Sequence, residues 1–486
     1  MMGLLDTLFE SSAAKLVVGD DRLAASDGGE FEVLDPATAE PIATVASATV
    51  TDALAAVDAA AEAGKTWATT APRVRGEVLR RAFEIMTARI DEFAELIVRE
   101  MGKALPEARG EVTYAAEFLR WYAEEAVRNQ GSLAIAPGGD KRIISIHQPI
   151  GVALLITPWN FPAAMATRKI GPAVAAGCTM LLKPASDTPL TALAMADVFR
   201  EAGLPPGVLN VIPSRRSGEI AAAVLADPRV RKLSFTGSTA TGRVLLEMAA
   251  KRVTNVSMEL GGNAPFLVFE DADIESAVQG AMIAKMRNGG QSCIAANRFY
   301  VHASVSNQFS AQLTSAMEAV RTGPGLEDGV QLGPMINATA QADMGDVVGT
   351  STGAGSTVVT GGLAPDRPGF FFLPTVLTGV GHDDPILGRE IFGPVAPIVT
   401  FESEEEAVEL ANGTDQGLAA YLYSRDLARA LRVAEAVEAG MVGVNRGLIS
   451  DPAALFGGVK MSGIGREGGH EGLLEYLETK YIAASW

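Results

Sequence analysis

Gly151-Val-Ala-Leu-Leu-Ile-Thr-Pro-Trp-Asn-Phe-Pro162 is a run of five apolar residues closed by a turn that two prolines bound. An unbroken apolar run of that length suits a strand buried on both faces. The pattern repeats downstream. Strand candidates Val152–Thr157, Thr179–Lys183, Val208–Ile212, Lys232–Phe235 and Val256–Leu260 alternate with helix candidates near 162–176, 189–202, 217–226 and 240–251. Short apolar strands alternating with helices predict an α/β fold with a parallel, doubly wound sheet. Ligands of such sheets bind beyond the carboxyl ends of the strands.

A second alternating unit runs from about Pro265 to Asn445, with strand candidates at 265–269, 298–302, 356–360, 395–400, 419–424 and 441–445. A glycine-rich tail follows Gly457 and ends in the strand-like run Lys480-Tyr-Ile-Ala-Ala-Ser-Trp486. Upstream, residues 1–50 read as an arm of short extended segments. A helix is predicted from an N-cap at Thr51, followed by two longer amphipathic helices over roughly 73–102 and 106–128. Residues 132–150 read as two strands around Pro137-Gly-Gly139, a hairpin suited to association.

The bulk numbers exclude several function classes. A chain of 486 residues implies two to four domains. A net charge of −18 leaves no basic footprint for nucleic acid and repels anionic membranes. No apolar stretch reaches the ~18 residues of a membrane span, and Met1–Val18 lacks the pattern of a signal peptide. Two cysteines build no disulfide framework, and four scattered histidines show no zinc spacing. A cytoplasmic protein without a metal site is the expectation.

Five segments carry chemistry, each at the end of a strand or the start of a loop. Asn160, on the Pro-bounded turn, offers a fixed amide donor for a developing oxyanion, although a turn asparagine more often bonds its own backbone. Lys183 ends the next strand, where it could reach a ribose or phosphate. Phe235-Thr-Gly-Ser-Thr-Ala-Thr-Gly242 leads from a strand into a helix whose N-terminus could hold a pyrophosphate; its spacing is neither G-x-G-x-x-G nor a P-loop. Glu259 ends an apolar strand ahead of two glycines, a setting that raises a carboxyl pKa toward that of a general base. Cys293 sits in Asn288-Gly-Gly-Gln-Ser-Cys293, where two glycines let the backbone bend close to a ligand. An isolated free cysteine is most often a small buried apolar residue; with a base, an amide donor and a nucleotide site it becomes a nucleophile candidate. Glu390, in Arg389-Glu-Ile-Phe-Gly-Pro394, could bond ribose hydroxyls.

Taken together and in this order, the segments resemble the aldehyde dehydrogenase superfamily from about residue 30 to 483. The resemblance implies that Cys293 attacks the aldehyde carbon, that Asn160 and the Cys293 N–H hold the oxyanion, and that Glu259 activates the water that hydrolyses the thioester. It matches Thr157, Trp159, Lys183, Pro184, Ala185, Ser186, Gly237, Ser238, Leu260, Glu390 and Phe392 to cofactor-contacting positions. Many NAD-using members carry glutamate where Ser186 stands; serine leaves Lys183 free to pair with a 2′-phosphate, so NADP is expected to be preferred over NAD.

Within the superfamily the chain is most similar to succinate-semialdehyde dehydrogenases, through 163–169, 286–293 and 445–450. That likeness places Arg168, Arg287 and Ser450 on the distal carboxylate of a short semialdehyde, as arginine's bidentate grip suits. A glutarate-semialdehyde or broader aldehyde dehydrogenase is the alternative; a CoA-acylating enzyme, which Glu259 argues against, and a non-catalytic protein rank lower. Ala295 stands where some relatives carry a second cysteine, so no local disulfide switch is available, and Leu455 replaces the usual proline near the substrate mouth. The implied organisation is a cofactor domain over 1–131, 151–260 and 458–477, a catalytic domain over 261–457, and an oligomerisation element over 132–150 and 478–486. A homodimer or homotetramer follows from that element.

Overall fold

A computed structural model describes residues 14–486. Its described strands form two large sheets, one three-stranded sheet and two small ribbons. The eight-stranded sheet runs, from edge to edge, through Asp21–Leu23, Leu16–Val18, Leu209–Val211, Thr179–Lys183, Val152–Ile156, Val230–Thr236, Asn255–Glu259 and Gly463–Ile464. The five central strands are mutually parallel, and the edges are closed by antiparallel partners. The chain leaves Val152–Ile156 in one direction to build two strands, then returns to its other flank to build two more. That reversal is the topological switch point, and it lies beside the turn 157–162.

Every expected strand of this unit is present, and so are the helices Pro162–Ala176, Leu190–Glu201, Ser217–Ala226 and Thr239–Ala250. All fifteen residues of Pro162–Ala176 are buried. That helix packs against Leu105–Glu125 rather than facing water, so its sequence carries no polar stripe.

Three local expectations are corrected. The first helix is capped by Thr49, not Thr51: Asp52 accepts the Thr49 N–H at 2.8 Å while the Thr49 hydroxyl accepts from the Asp52 N–H, a reciprocal box. The helix predicted over 73–102 is two, Pro72–Ala88 and Ile90–Met101, broken at Arg89 where the backbone leaves helical geometry (φ −109°, ψ 26°). Apolar periodicity continues through the break, so the sequence hides it. The seven-stranded sheet also contains Thr375–Thr378, a strand not expected from sequence. It has four residues directly after Pro374, too short to show a period.

That second sheet runs Thr357–Thr360, Thr375–Thr378, Val395–Phe401, Ala296–His302, Ala264–Val268, Ala419–Tyr423 and Met441–Val444, parallel except at its first pair. The 132–150 segment forms Ser132–Ile135 and Arg142–Pro149, and the C-terminal strand Leu477–Ala484 pairs with the latter along its whole length. No described helix is long and apolar enough to cross a membrane. The assignment of Met1–Val18 falls mainly on residues outside those described.

Candidate active site

The switch point opens into a cavity of about 220 Å³ lined by Trp159, Asn160, Met165, Gly237, Ser238, Leu260, Cys293, Glu390 and Phe392, with Pro158, Thr236 and Gly261. Eight residues picked from sequence thus meet in one place. Thr157, Lys183, Pro184, Ala185 and Ser186 lie outside it, at the ends of adjacent strands; the Thr157 N–H bonds the Lys183 carbonyl at 3.2 Å. A second cavity of about 290 Å³ meets the same turn at Phe161. Lys103, Glu107, Glu111, Tyr114, Phe161, Arg287, Asn288 and Ser450 are among its walls.

Cys293 is partly exposed to the first cavity yet deep below the molecular surface. Burial pushes its thiol up to about 12; the Arg168 charge opposes that, while Glu390 and Glu259 add to it. Burial thus favours the protonated thiol, and the Arg168 charge favours the thiolate. Its loop is shaped by close approach. A Cβ on Gly262 would lie 2.1 Å from the Cys293 carbonyl, and one on Gly290 (φ +75°) would lie 2.2 Å from the Gly393 carbonyl. Only glycine fits at either position. The Asn160 Nδ2 donates to the Gln291 carbonyl at 3.1 Å, tying the turn to the cysteine loop and leaving one N–H for another acceptor.

Glu259 ends its strand as expected and is 2% exposed. Among the described residues neither of its oxygens has a hydrogen-bond partner. Its pKa lies well above the ordinary value because of burial first and the charge of Glu467 second. Glu467 is held down instead, despite its burial, because the Lys169 Nζ sits at 2.5 Å and the Arg168 Nε at 2.6 Å from its oxygens. The two carboxyls thus split one buried field: the one touching cations stays charged and the one without them favours its proton.

Arg168 is more enclosed than its sequence reading implies. It is 1% exposed, stacks on Phe456 at 4.0 Å, and pairs with Glu467 in an ion contact without a well-directed Nε hydrogen bond. It lines neither cavity. Arg287 does line the second, stacks on Phe161 at 4.9 Å, and donates from Nη1 to the Ser450 Oγ at 3.3 Å. Glu467 and Lys169 were not singled out by sequence; Lys169 lies inside the quoted 163–169 segment, but nothing local shows that Glu467, some 300 residues on, would meet it.

The residues present suit a dinucleotide. The Lys183 ammonium is buried and bonds only the Pro184 carbonyl at 3.1 Å among described groups, with burial lowering its pKa to about 8 despite Asp187. Thr236 and Thr239 carry buried hydroxyls without partners beside the cavity. Glu390 accepts the Gly262 N–H at 3.2 Å, and a Cβ on Gly261 would press to 2.9 Å from its other oxygen. Ser238 caps the helix Thr239–Ala250, whose N-terminal amides face the same space. Trp159 and Phe392 meet edge to face at 5.4 Å and form an apolar wall.

The aldehyde dehydrogenase family pattern matches residues 23–482. The chain belongs to that family. As a member it is an NAD(P)-dependent oxidoreductase acting on aldehydes. It is 57% identical to a succinate-semialdehyde dehydrogenase of Paenarthrobacter nicotinovorans, over 91% of this chain and 98% of that one. It is 47% identical to a glutarate-semialdehyde dehydrogenase of Pseudomonas putida, over 96% and 97%. An E. coli NADP dependent enzyme of known crystal structure superposes with a TM-score of 0.97 at 46% identity, over 99% of both chains.

Proposed function

We propose that this aldehyde dehydrogenase oxidises succinate semialdehyde to succinate and uses NADP in preference to NAD. The observation that carries the substrate class is the Arg287–Ser450 pair in a cavity that meets the Cys293 cavity at the Asn160–Phe161 turn. A short aldehyde spanning the two past that turn would place its carboxylate on a fixed guanidinium and its carbonyl at the thiol. Arg168 would add positive charge from behind the wall. Glutarate semialdehyde, one methylene longer, is the second reading, favoured by the likeness to the Pseudomonas putida enzyme.

Cys293 would give its thiol proton to the Glu259 carboxylate or to solvent, and the thiolate Sγ would attack the aldehyde carbon. The free N–H of Asn160 Nδ2 and the Cys293 backbone N–H would receive the oxyanion. The nicotinamide, when bound, supplies the hydride acceptor. Glu259, with no partner of its own and a raised pKa, would take a proton from the water that opens the thioester. Lys183, Ser186 and the helix at Ser238 would bind the cofactor's adenosine and phosphates, and Glu390 its ribose. Serine at 186 puts no carboxylate at that position to repel a 2′-phosphate, which supports NADP; the NADP-dependent E. coli enzyme favours the same reading.

The cofactor domain would comprise 1–131, 151–260 and 458–477, the catalytic domain 261–457, and the association element 132–150 with 478–486. Leu133 (66% exposed) and Ile135 (63%) on that element support a homodimer or homotetramer, and a cytoplasmic location goes with this reading. The deciding experiment is a panel of C4, C5 and uncharged aldehydes with NAD and NADP. Equal kcat/KM for succinate semialdehyde and an uncharged aldehyde of the same length would refute the substrate assignment.

A further inference from the structure

Three ionisable residues four apart, Lys103 just before the helix Leu105–Glu125 and Glu107 and Glu111 in its first turns, line the second cavity. Lys103 and Glu111 are each 2% exposed and form a direct ion pair. A buried pair of this kind gives less stability than well-packed apolar residues would, so its contacts are informative. The Lys103 Nζ donates to the backbone carbonyl of Asn160 at 2.8 Å and sits 4.1 Å over the Phe161 ring. The other Glu111 oxygen accepts the N–H groups of Ala163 at 2.9 Å and Ala164 at 3.3 Å, the first turn of the helix after Asn160. The pair therefore grips the backbone on both sides of the amide-bearing turn.

Glu107 reaches the other loop. Its carboxylate accepts the Asn288 N–H at 2.7 Å, at a residue held in left-handed geometry (φ +57°) directly after Arg287. Asn288 then donates from Nδ2 to the Asn160 carbonyl at 2.9 Å and to the Gln291 carbonyl at 2.8 Å. One helix end thus touches the backbone beneath both the oxyanion amide and the substrate arginine, without facing Cys293 or the cofactor side.

We propose that Lys103 and Glu111 are positioning residues for the Asn160 amide, and that Glu107 is the positioning residue for the Arg287 turn. The proposal rests on the roles given above to Asn160 and Arg287. It assigns the two arms different kinetic signatures. Loss of the Lys103–Glu111 pair displaces an oxyanion donor and acts on kcat; loss of Glu107 displaces a substrate anchor and acts on KM.

The test is steady-state kinetics of the full-length enzyme with succinate semialdehyde and NADP. Glu111→Gln is expected to lower kcat about tenfold with KM changed less than about twofold. Glu107→Ala is expected to raise KM about tenfold with kcat changed less than about twofold. In an Asn160→Ala background, Glu111→Gln should change kcat by less than about twofold, because the group it acts through is gone. A further tenfold loss there would mean that Glu111 acts elsewhere, and a swap of the kcat and KM effects would overturn the assignment. Lys103→Arg, which keeps the charge and alters the reach, is the second variant and should also lower kcat. If neither Glu111→Gln nor Lys103→Arg folds, the pair is scaffold and the proposal fails. Cys293→Ala separates this proposal from the reading beneath it. Retained turnover there would refute the chemistry; a dead Cys293→Ala beside a Glu111→Gln with unchanged kcat would refute only the positioning.

Discussion

The two cavities flanking Asn160 are built in opposite ways. The first is made of backbone, small residues and apolar walls: Gly237, Gly261, Leu260, Trp159 and Phe392 surround one thiol and one carboxyl. The second is crowded with charge: Lys103, Glu107, Glu111 and Arg287 share its walls. A cavity that must accept a large flat ligand and a reacting centre needs room and unpaired donors. A cavity that must recognise a small anion needs fixed charge, and fixed charge in a buried wall needs its own counter-charges. The difference predicts that losing a group that faces the first cavity stops chemistry, whereas losing Arg287 or its Glu107 support in the second weakens binding; the Lys103–Glu111 pair, which holds the Asn160 turn, acts with the first.

The strongest way to break that contrast is to remove the reacting groups. Cys293→Ala should lower turnover by at least about 10⁴-fold, and Asn160→Ala by about 10²–10³-fold, with KM for the aldehyde little changed. Steady-state kinetics with burst analysis reads both. A large KM effect from Asn160→Ala would merge the two cavities into one functional unit.

The next effect separates the two arginines. Arg287→Ala should raise KM for succinate semialdehyde about 10–100-fold, the loss of a charge-assisted contact, leaving kcat and Tm near wild type. Arg168→Ala should act first on stability. It removes one of the two cations on the buried Glu467 and the packing on Phe456, visible as a lower Tm in calorimetry. If Arg168→Ala keeps its Tm and matches the KM rise of Arg287→Ala, both arginines grip the substrate equally.

That distinction also marks where the sequence stopped being legible. The turn at 157–162, the strand-end Glu259 and the glycine-hinged Cys293 loop could be read because each signal is local: an apolar run, a proline, a pair of glycines. Their neighbours in the parallel sheet follow from alternation alone. The partners that tune them could not be read, because they are set by tertiary contact. Glu467 reaches Lys169 across 298 residues, and Asn288 meets Asn160 across 128. Arg168 looked like a substrate ligand by its position in a motif; only packing against Phe456 and Glu467 shows how enclosed it is. The break at Arg89 and the strand Thr375–Thr378 escaped for the converse reason, being too slight to disturb or to establish a period.

On the cofactor side, Ser186→Glu should shift the NADP-to-NAD ratio of kcat/KM toward NAD by at least about tenfold, since a new carboxylate would repel a 2′-phosphate beside Lys183. The aldehyde KM should stay fixed, which keeps this effect within the first cavity's side of the contrast. An unchanged ratio would place the 2′-phosphate elsewhere.

The smallest effect is in the pH profile, and it tests how the two sides share one buried field. In its proposed role as base Glu259 must be deprotonated, and its pKa is raised, so kcat should fall as pH drops through a limb above the ordinary carboxyl range. Glu467→Gln removes a negative charge that raises Glu259 and leaves Arg168 and Lys169 to pull Glu259 down. Both changes favour the carboxylate, so the acid limb should move to lower pH, while Glu259→Gln should abolish the limb with most of the turnover. A limb that stays in place in Glu467→Gln would mean that burial alone sets the Glu259 pKa. In that case the charged cluster behind Arg168 serves stability, and the reacting side takes its proton affinity from its own dry walls.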